Sequence, residues 1–229
     1  MIDWLELKRQ AGPVKTGISA SRRIHGMLVA AIESGILTPG TRLKESEIVK
    51  ALDVSRTPLR EVLAGLRAEG IVESDGTGLA VRQLGWQDIR SFYAYRGMLE
   101  SMAAGLAATH AHKVERTIIE ELCAEESDLI NSGADATELA KQNRRFHHAI
   151  HQASSNAFLL EGLERLNRMM ILIGPTAYCI PPRVSSIAEE HQAITAAISA
   201  SDADGAERAM RFHISNALRV RLERKQNDA

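Results

Sequence analysis

Aromatic residues and cysteines are scarce in this chain of 229 residues. Phe, Trp and Tyr together account for 4% of it, and only two cysteines occur, Cys123 and Cys179. Neither cysteine belongs to a CxxC pair, so neither a disulfide framework nor a cysteine-rich zinc site is supported. We therefore expect two buried, reduced thiols.

Long apolar runs are absent as well. No window approaches the roughly 18 consecutive apolar residues that a membrane-spanning helix needs. The opening segment, MIDWLELKRQ, carries acidic side chains and lacks the apolar stretch of a secretory signal. We therefore expect a cytoplasmic protein that does not associate with membranes.

The residues that are abundant favour helices. Hydrophobic residues make up 45% of the chain and charged residues 25%, which is typical of a globular protein. With so few aromatic residues, the apolar stripes must be built mainly from aliphatic side chains such as Ala and Leu, which are strong helix formers. The length exceeds the usual domain size of roughly 100 to 150 residues, so the sequence predicts a mostly α protein of two domains.

The formal net charge of -1 hides a difference between two parts of the chain. Residues 1–83 contain 12 Lys and Arg against 10 Asp and Glu, whereas residues 84–229 contain 16 against 19. We predict that these parts are the two domains, the first with an N-terminal arm. The small positive excess of the first part supports nucleic-acid binding only if its cations share one surface.

Periodicity predicts three helices in the first part. Ser19 is the expected N-cap of a helix that stops near Gly35. A short helix follows from about Ser46 to Leu52, and a third begins at about Ser55, whose hydroxyl can cap it. A helix pair of this kind, with a tight turn between its members, is typical of helix-turn-helix proteins.

After Gly70 the spacing of apolar residues changes from a helical pattern to that of extended strands. Residues 71–81 read as two short strands around a turn at 74–78, which predicts a β-hairpin. From about Trp86 onward every strong segment is helical. Six helices are expected there, at 86–110, 113–131, 136–154, 156–173, 183–200 and 202–224.

Basic residues cluster at the start of the third helix. Arg56 and Arg60 are one turn apart, so they share an outward face with Thr57, while the aliphatic residues of the segment point the other way. Arginine can read guanine through O6 and N7, and hydroxyls and N-terminal amides can hold phosphates. The alternative is a solvated basic face beside Glu61. The preceding helix and the hairpin favour DNA binding.

The run GILTPGTRLKESEIVKALDVSRTPLREVLAGLRAEGIV and the hairpin after it resemble the winged helix-turn-helix of GntR-family transcription regulators. The helical remainder resembles the FCD domain of the FadR subgroup, in the shorter six-helix form of the VanR type, so the similarity covers residues 19–224. The resemblance implies an N-terminal winged helix-turn-helix followed by an all-α FCD bundle. It also implies a homodimer, a palindromic double-stranded DNA operator, and release or remodelling on binding a small metabolite, frequently a carboxylate.

The resemblance also implies the DNA contacts. It places Arg56, Thr57 and Arg60 on the operator, with Gly76 and Thr77 at the tip of the wing, and Ser55 beside them at the helix start. Ser46 is a departure, because many relatives carry Arg there. A serine can still hold a phosphate, but it brings no cation.

Histidines in the second part suggest a metal site. Asn143 and His147 are i,i+4 on one helix face, and His191 and His213 come from two later helices. Three imidazoles and an oxygen donor would suit zinc or a similar ion such as Ni or Mn. The alternative is that these histidines are hydrogen-bonded within the protein or exposed to solvent, which is the commoner situation for any individual histidine.

The FCD pattern favours the metal interpretation, since it has Asp-x-x-Phe-His, a Glu-His pair and a His on the last helix. All three histidines match, but Asn143 replaces the family's Asp, a neutral amide in place of an anionic ligand. His148 and His151 lie outside the ligand pattern, and we expect them on the helix surface or behind the ligands.

Arg96 is the candidate effector-binding residue. The family carries an arginine at this position facing the ligand cavity, where it could clamp a carboxylate. The alternative is an i,i+4 pair between Arg96 and Glu100 on a solvated face.

Three functions are compatible with these features. The first is a ligand-responsive regulator, a repressor, that binds an organic acid. The second is a regulator for which the metal itself is the signal. The third is a helical metalloenzyme, which is weaker because neither an HExxH motif nor a Glu-x-x-His pair of the di-iron type occurs in the sequence.

Overall fold

A computed structural model describes residues 19–74, 76, 78–174 and 177–227. Within these residues the chain forms nine α-helices and one two-stranded sheet, which confirms the mostly α fold class. Two compact units can be separated, with a division between Trp86 and Gln87. The N-terminal unit also includes Asn167–Gly174, and the helical unit contains the rest. The domain limits 1–83 and 84–229 remain predictions.

The N-terminal unit begins with three helices: α1 (Ala20–Glu33), α2 (Glu45–Leu52) and α3 (Arg56–Ala68). Ser19 caps α1 as expected, accepting a hydrogen bond from the Arg22 amide at 3.2 Å. Ser55 is the N-cap residue of α3, but its hydroxyl makes no capping hydrogen bond, so that detail of the prediction is wrong. Between α2 and α3 the chain turns through Asp53, which has a φ of 53°.

The core of this unit is made of the aliphatic stripes that the sequence predicts. Ile24 and Leu28 of α1 are fully buried, and so are Leu59 and Leu66 of α3. Burying each such side chain contributes roughly 1.5–3 kcal/mol. The opposite face of α3 is therefore left to its polar residues.

The predicted hairpin consists of β1 (Val72–Ser74) and β2 (Leu79–Val81), which pair antiparallel with Val72 opposite Val81. A third segment, not expected from the sequence, lies beside β2, where Arg42 forms an isolated bridge with Ala80. The wing is thus supported on the side away from β1. Thr77, predicted at its tip, lies outside the described residues.

Six helices follow the hairpin in the described part of the chain, as predicted. They are α4 (Trp86–His110), α5 (Lys113–Asn131), α6 (Ala136–Ala153), α7 (Ala157–Met169), α8 (Pro181–Ser199) and α9 (Ala203–Asn227). The last part of the segment expected at 156–173 forms a separate 3-10 turn, Met170–Ile173, and a second turn, Ala177–Cys179, precedes α8. The α8 helix starts two residues earlier than expected, with proline in its first turn, where a missing amide costs little.

Small residues line the buried face of α4, where Ala103 packs with Leu159 and Leu163 of α7. Ala103, Ala104, Ala107 and Ala108 are all fully buried on this helix. In α6, the buried Phe146 and Ile150 supply the apolar face. Polar side chains on the same buried faces of α4 and α6 therefore lie inside the unit, where they form part of the site described below.

Cys123 and Cys179 are both free thiols. Cys123 of α5 is buried, but Cys179 is exposed, so the expectation of two buried thiols is wrong for Cys179. Of the helices that the structure describes, none has the length and apolarity needed to cross a membrane.

Candidate DNA interface and metal centre

The first turn of α3 presents a polar, basic surface. Ser55, Arg56, Thr57 and Arg60 are all exposed, and Ser46 of α2 is exposed as well. Arg56 is the first residue of α3 and Arg60 lies one turn later. The helix N-terminus also offers free backbone amides and a partial positive charge, both of which attract phosphate.

Arg60 makes one ion pair within this surface. Its Nε lies 2.8 Å from Oε2 of Glu45 on α2, and the two side chains are 65% and 36% exposed. A pair this exposed contributes about 0–1 kcal/mol. It therefore orients Arg60 at little cost and can be exchanged for a DNA contact.

The tip of the wing carries Gly76, which is exposed and has a φ of +83°. That backbone conformation favours glycine, since a Cβ would strain it. The absence of a side chain also lets the backbone approach another molecule closely.

A single buried polar network occupies the interior of the helical unit. Among the described residues, nine Arg, Glu and His side chains are buried, and all of them belong to it. They are Arg96, Glu100, Glu126, His147, His151, Arg183, Glu190, His191 and His213.

Three histidines from three helices meet at the centre of this network. His147 of α6, His191 of α8 and His213 of α9 each offer one ring nitrogen, and these atoms lie within 4.8 Å of one another. The ring centroids are 4.7–5.4 Å apart. The structure thus brings together the three histidines that the sequence singled out.

A different carboxylate binds the outer nitrogen of each of these histidines. Metal-ligating histidines usually have this arrangement, because the outer hydrogen bond fixes the ring and makes the inner nitrogen a better donor. The Nδ1 contacts are His147 with Glu100 at 3.0 Å, His191 with Glu126 at 2.7 Å, and His213 with Glu190 at 2.7 Å.

The inner nitrogens have the properties of metal ligands. The Nε2 atoms of His147 and His191 are buried and lack a hydrogen-bond partner within the described part of the chain. Burial lowers the pKa of His147 to about 4 and that of His213 to about 3, against the opposing effect of their carboxylate partners. Both are therefore neutral at pH 7, as metal binding requires. A divalent transition ion fits this donor set.

A second group of possible ligands overlaps the first. Glu100, His147 and His151 also place one atom each within 4.8 Å. These atoms already satisfy one another, because Glu100 Oε2 accepts from His147 Nδ1 and, at 2.8 Å, from His151 Nε2. The Arg96 guanidinium lies 3.0 Å from the same carboxylate and would repel a second cation. The three-histidine site is therefore the better metal candidate.

The three carboxylates have outer partners that keep them ionised. Glu190 accepts two hydrogen bonds from Arg183, at 2.6 and 2.5 Å, and one from Asn216 at 2.7 Å. Although burial opposes ionisation, the hydrogen bonds from His213 and Arg183 lower the pKa of Glu190 to about 2. Burial is likewise outweighed at Glu100, where the neighbouring His147, His151 and Arg96 hold the pKa well below its ordinary value.

Glu126 differs from the other two because its outer partner is neutral. The Tyr178 hydroxyl donates to Glu126 Oε1, and burial together with the Glu126 charge raises the pKa of Tyr178. The hydrogen bond and charge of His191, followed by the Tyr178 hydroxyl, outweigh burial and lower the pKa of Glu126. No guanidinium is among the hydrogen-bond partners described for Glu126.

Asn143 lies at the edge of this network. It is partly buried on α6, one turn before His147, and its Oδ1 is 3.4 Å from the Tyr178 hydroxyl. Its role as a metal ligand remains a prediction.

Arg96 is buried, with 7% of its surface exposed, and its Nε donates to Glu100 at 3.0 Å. The i,i+4 pair of Arg96 with Glu100, the alternative given above, therefore exists, but it lies inside the unit and not on a solvated face. Its predicted contact with an effector remains a prediction.

Several members of the network could not be found from sequence. His151 was expected at the surface or behind the ligands, and it is buried beside Glu100, whereas His148 is exposed. Glu190 was visible as half of a Glu-His pair, although it binds His213 and not its neighbour His191. Glu126 and Tyr178 carry no local signal, since their partners are 52 to 65 positions away in the chain. Arg183 reaches Glu190 seven positions later on the same helix, a spacing that the sequence analysis did not single out.

A winged helix-turn-helix joined to a helical unit with an enclosed polar site defines the class of ligand-responsive transcription regulators. The family model described as "Bacterial regulatory proteins, gntR family" matches residues 20–81, and the FCD domain model matches residues 91–216. The chain belongs to the GntR family of transcription regulators and carries an FCD effector domain.

The similarity to known proteins extends over most of the chain. A protein of Paenarthrobacter nicotinovorans described as "Probable D-xylose utilization operon transcriptional repressor" is 30% identical, covering 89% of each chain. The transcriptional regulator LutR of Bacillus subtilis is 27% identical, covering 81% of this chain and 93% of its own. The solved structure of E. coli McbR/YncC superposes with a TM-score of 0.72 at 22% identity, covering 91% of this chain and 99% of that one. The family and these relatives are regulators, which removes support for the metalloenzyme alternative.

Proposed function

We propose that this protein is a cytoplasmic repressor that binds a palindromic operator as a homodimer and responds to a small carboxylate at a metal site. One observation carries the proposal. The same chain holds an exposed arginine pair at the start of α3 and a buried cluster of three histidines whose outer nitrogens are each held by a carboxylate.

The DNA contacts follow from the exposed surface of α3. Arg56 and Arg60 read base edges in the major groove, because their spacing places two guanidinium groups on one solvent-facing side. The remaining predicted contacts hold the sugar-phosphate backbone and fix the register. They are Ser46, Ser55 and Thr57 on the helix pair, and Gly76 and Thr77 on the wing.

His147, His191 and His213 would hold the metal, with Asn143 as the neutral oxygen donor at the family's aspartate position. Zinc suits three imidazoles best, and nickel or manganese are alternatives. When bound, the ion supplies a Lewis-acidic centre to which a carboxylate can attach. Arg96 is linked to this centre by Glu100, which contacts both Arg96 and His147. Arg96 would orient the carboxylate of the effector.

The relatives' names support control of a catabolic operon. The Paenarthrobacter protein is described as a repressor of D-xylose utilization. Repression of a small-molecule utilization operon, relieved by a metabolite, is therefore the regulatory scheme that we propose here.

An apolar face on α4 supports the homodimer. Tyr95, Met98 and Met102 share one side of this helix and are 47%, 55% and 51% exposed. Adjacent exposed apolar side chains of this size mark interaction surfaces. A second copy of the helical unit would cover them, as a palindromic operator requires.

Operator binding by an Arg56→Ala, Arg60→Ala double variant tests the proposal. The operator is first selected from a random duplex pool with the wild-type protein. Affinity should fall by more than about 30-fold, because each base-reading arginine contributes about 1–3 kcal/mol. A Lys113→Ala, Lys141→Ala variant loses the same charge from exposed sites on the helical unit and should bind almost normally. Equal affinities of wild type and the arginine variant would refute the proposal.

A second candidate is a regulator that senses the metal itself. Asn143 in place of aspartate favours it, since a neutral ligand set holds an ion less tightly and makes occupancy reversible. Zinc titration of operator affinity at constant carboxylate separates the two candidates. A response to zinc alone supports metal sensing, whereas a response only to carboxylate at saturating zinc supports the metabolite.

A further inference from the structure

Residues 167–178, called the link below, join the two units by a short stretch of chain. The first part, Asn167–Gly174, belongs to the N-terminal unit, whereas Tyr178 belongs to the helical unit. Four positions of sequence separate Gly174 from Tyr178, and four residues of fully extended chain reach at most about 14 Å. The two ends of the link therefore have little room to move independently.

One end of the link is packed within the N-terminal unit. Its 3-10 turn, Met170–Ile173, contacts α1. Met169 lies beside Gly70 in the turn after α3, since a Cβ placed on Gly70 would be 3.8 Å from the Met169 sulfur. The α1 helix in turn packs against α3, which carries the proposed DNA-reading arginines. A movement of this end would therefore reach α3 through direct contacts.

The other end of the link is fixed in the helical unit by Tyr178. Its buried ring packs with Leu139 of α6 and Ile187 of α8, and its hydroxyl donates to Glu126 of α5. Two of these three helices, α6 and α8, each carry one of the proposed ligand histidines. A rearrangement of either helix around the histidines must therefore move Tyr178 or change its contacts.

Both hydroxyl partners of Tyr178 are parts of the proposed metal site. Glu126 binds Nδ1 of His191 at 2.7 Å. Asn143, the proposed neutral oxygen ligand, has its Oδ1 3.4 Å from the Tyr178 hydroxyl. An Oδ1 that turns to a bound ion is withdrawn from that hydroxyl. The empty and the occupied site would therefore hold Tyr178 differently, which is the condition for a ligand to shift a conformational equilibrium.

The other crossings between the units are longer routes to the buried network. Trp86 is the last residue of the N-terminal unit before α4, and Arg96, the first network residue on this helix, comes ten positions later. The crossing after Leu166 lies in α7, which contributes no member of the network among the residues that the structure describes. The step from Gly174 to Tyr178 is therefore the shortest connection along the chain.

We propose, on the basis of the proposed function, that Tyr178 is a positioning residue that couples the histidine site to operator binding through residues 167–178. Binding at the site changes how Glu126 and Asn143 hold Tyr178, and the link passes this change to α1 and α3. The coupling free energy is then the difference between the two sets of contacts. By linkage, operator binding must change the affinity of the site by the same factor.

Operator affinity of the full-length protein in different states of the site tests this inference. It is measured by fluorescence anisotropy on metal-free protein, with saturating buffered zinc, and with zinc plus acetate, lactate, succinate or citrate. The coupling factor is the largest ratio of operator dissociation constants between the metal-free protein and a loaded state. For the wild type it should be about fivefold or more.

Two changes interrupt the link at different points. Tyr178→Phe keeps the ring but removes the hydroxyl, and insertion of two glycines between Gly174 and Pro175 lengthens the chain without removing a side chain. Both should reduce the coupling factor to less than about twofold, while operator affinity of the metal-free protein stays within about twofold of the wild type. Cys179→Ser changes the exposed neighbour of Tyr178 and should keep the wild-type coupling. Thermal unfolding verifies that all three proteins are folded.

The outcomes separate this inference from the proposed function. If no loaded state changes operator affinity of the wild type, the proposed response is absent and the inference falls with it. If the wild type responds but Tyr178→Phe or the glycine insertion keeps the wild-type coupling factor at saturating zinc, only the inference is overturned. Tyr178→Phe that weakens zinc binding and still keeps this factor would show that Tyr178 supports the site locally and does not couple it to the operator.

Discussion

Two Arg–Glu pairs, one in each unit, show how surroundings decide what the same chemistry does. Arg60 and Glu45 of the N-terminal unit are 65% and 36% exposed, whereas Arg183 and Glu190 of the helical unit are 4% and 6% exposed. Water screens the first pair, so its arginine can exchange partners. In the second pair neither charge can be hydrated, so the arginine is committed to its carboxylate. Exposure therefore distinguishes an arginine that can change partners from one that is held by its carboxylate.

Removing one member of each pair should give the largest contrast. Arg183→Met leaves the Glu190 carboxylate buried beside His213 without its cation, and we expect a loss of about 3–5 kcal/mol in the free energy of unfolding. Arg60→Met should cost less than about 1 kcal/mol. Urea denaturation of the metal-free variants measures both values. Equal losses would show that exposure does not separate the pairs.

Operator binding should reverse this order. Arg60→Ala, despite its small effect on stability, should weaken operator binding by about 1–3 kcal/mol, because a base contact is lost. The control is Arg145→Ala, which removes another exposed arginine from the helical unit, where it pairs with Glu125 at 2.7 Å. Fluorescence anisotropy with a labelled operator measures both variants. The contrast fails if Arg145→Ala weakens binding as much as Arg60→Ala.

Adjacent glutamates on α5 extend the comparison to metal binding. Glu126 is buried and bonded to His191, whereas Glu125 is exposed. Glu126→Gln should reduce zinc affinity about 10- to 100-fold, since it weakens the orientation and basicity of a ligand. Glu125→Gln should leave zinc affinity unchanged. Similar affinities in a competitive zinc titration would argue against the carboxylate as a support for the ligand.

The smallest effect concerns pH. The pKa values of His147 and His213, about 4 and about 3, lie below the ordinary value of 6.5 because of burial. As the pH falls below about 6.5, the unfolded chain takes up protons before the folded one, so folding stability is lost down to pH 3–4. His147→Gln in the metal-free protein should make this slope shallower, whereas the exposed His148→Gln should not. An unchanged slope in His147→Gln would mean that burial does not depress this pKa.

The sequence was most informative where the signal is local. Helix periodicity, the turn before α3 and the hairpin depend on neighbouring residues, so the three N-terminal helices and six later ones were predicted close to their observed bounds. The N-cap at Ser19 was predicted correctly. The Ser55 hydroxyl was expected to make a capping hydrogen bond and does not, because an N-cap position does not fix where its side chain points.

The buried site was only half visible from sequence. His147, His191 and His213 could be chosen because a family pattern marks them. Their supports could not, since Glu126 reaches His191 across 65 positions of sequence and Tyr178 reaches Glu126 across 52. The Arg96–Glu100 pair was only the alternative to a ligand contact of Arg96, and helix periodicity alone could not show that this face of α4 points inward.

An anomalous difference map from crystals of the wild-type protein grown with zinc tests the central claim most directly. We predict one zinc ion per chain, bonded to the Nε2 atoms of His147, His191 and His213 at about 2.0–2.1 Å, with the three Nδ1 contacts to carboxylates retained. A zinc ion at Glu100 and His151 instead, or the absence of any peak at the three Nε2 atoms, would contradict it.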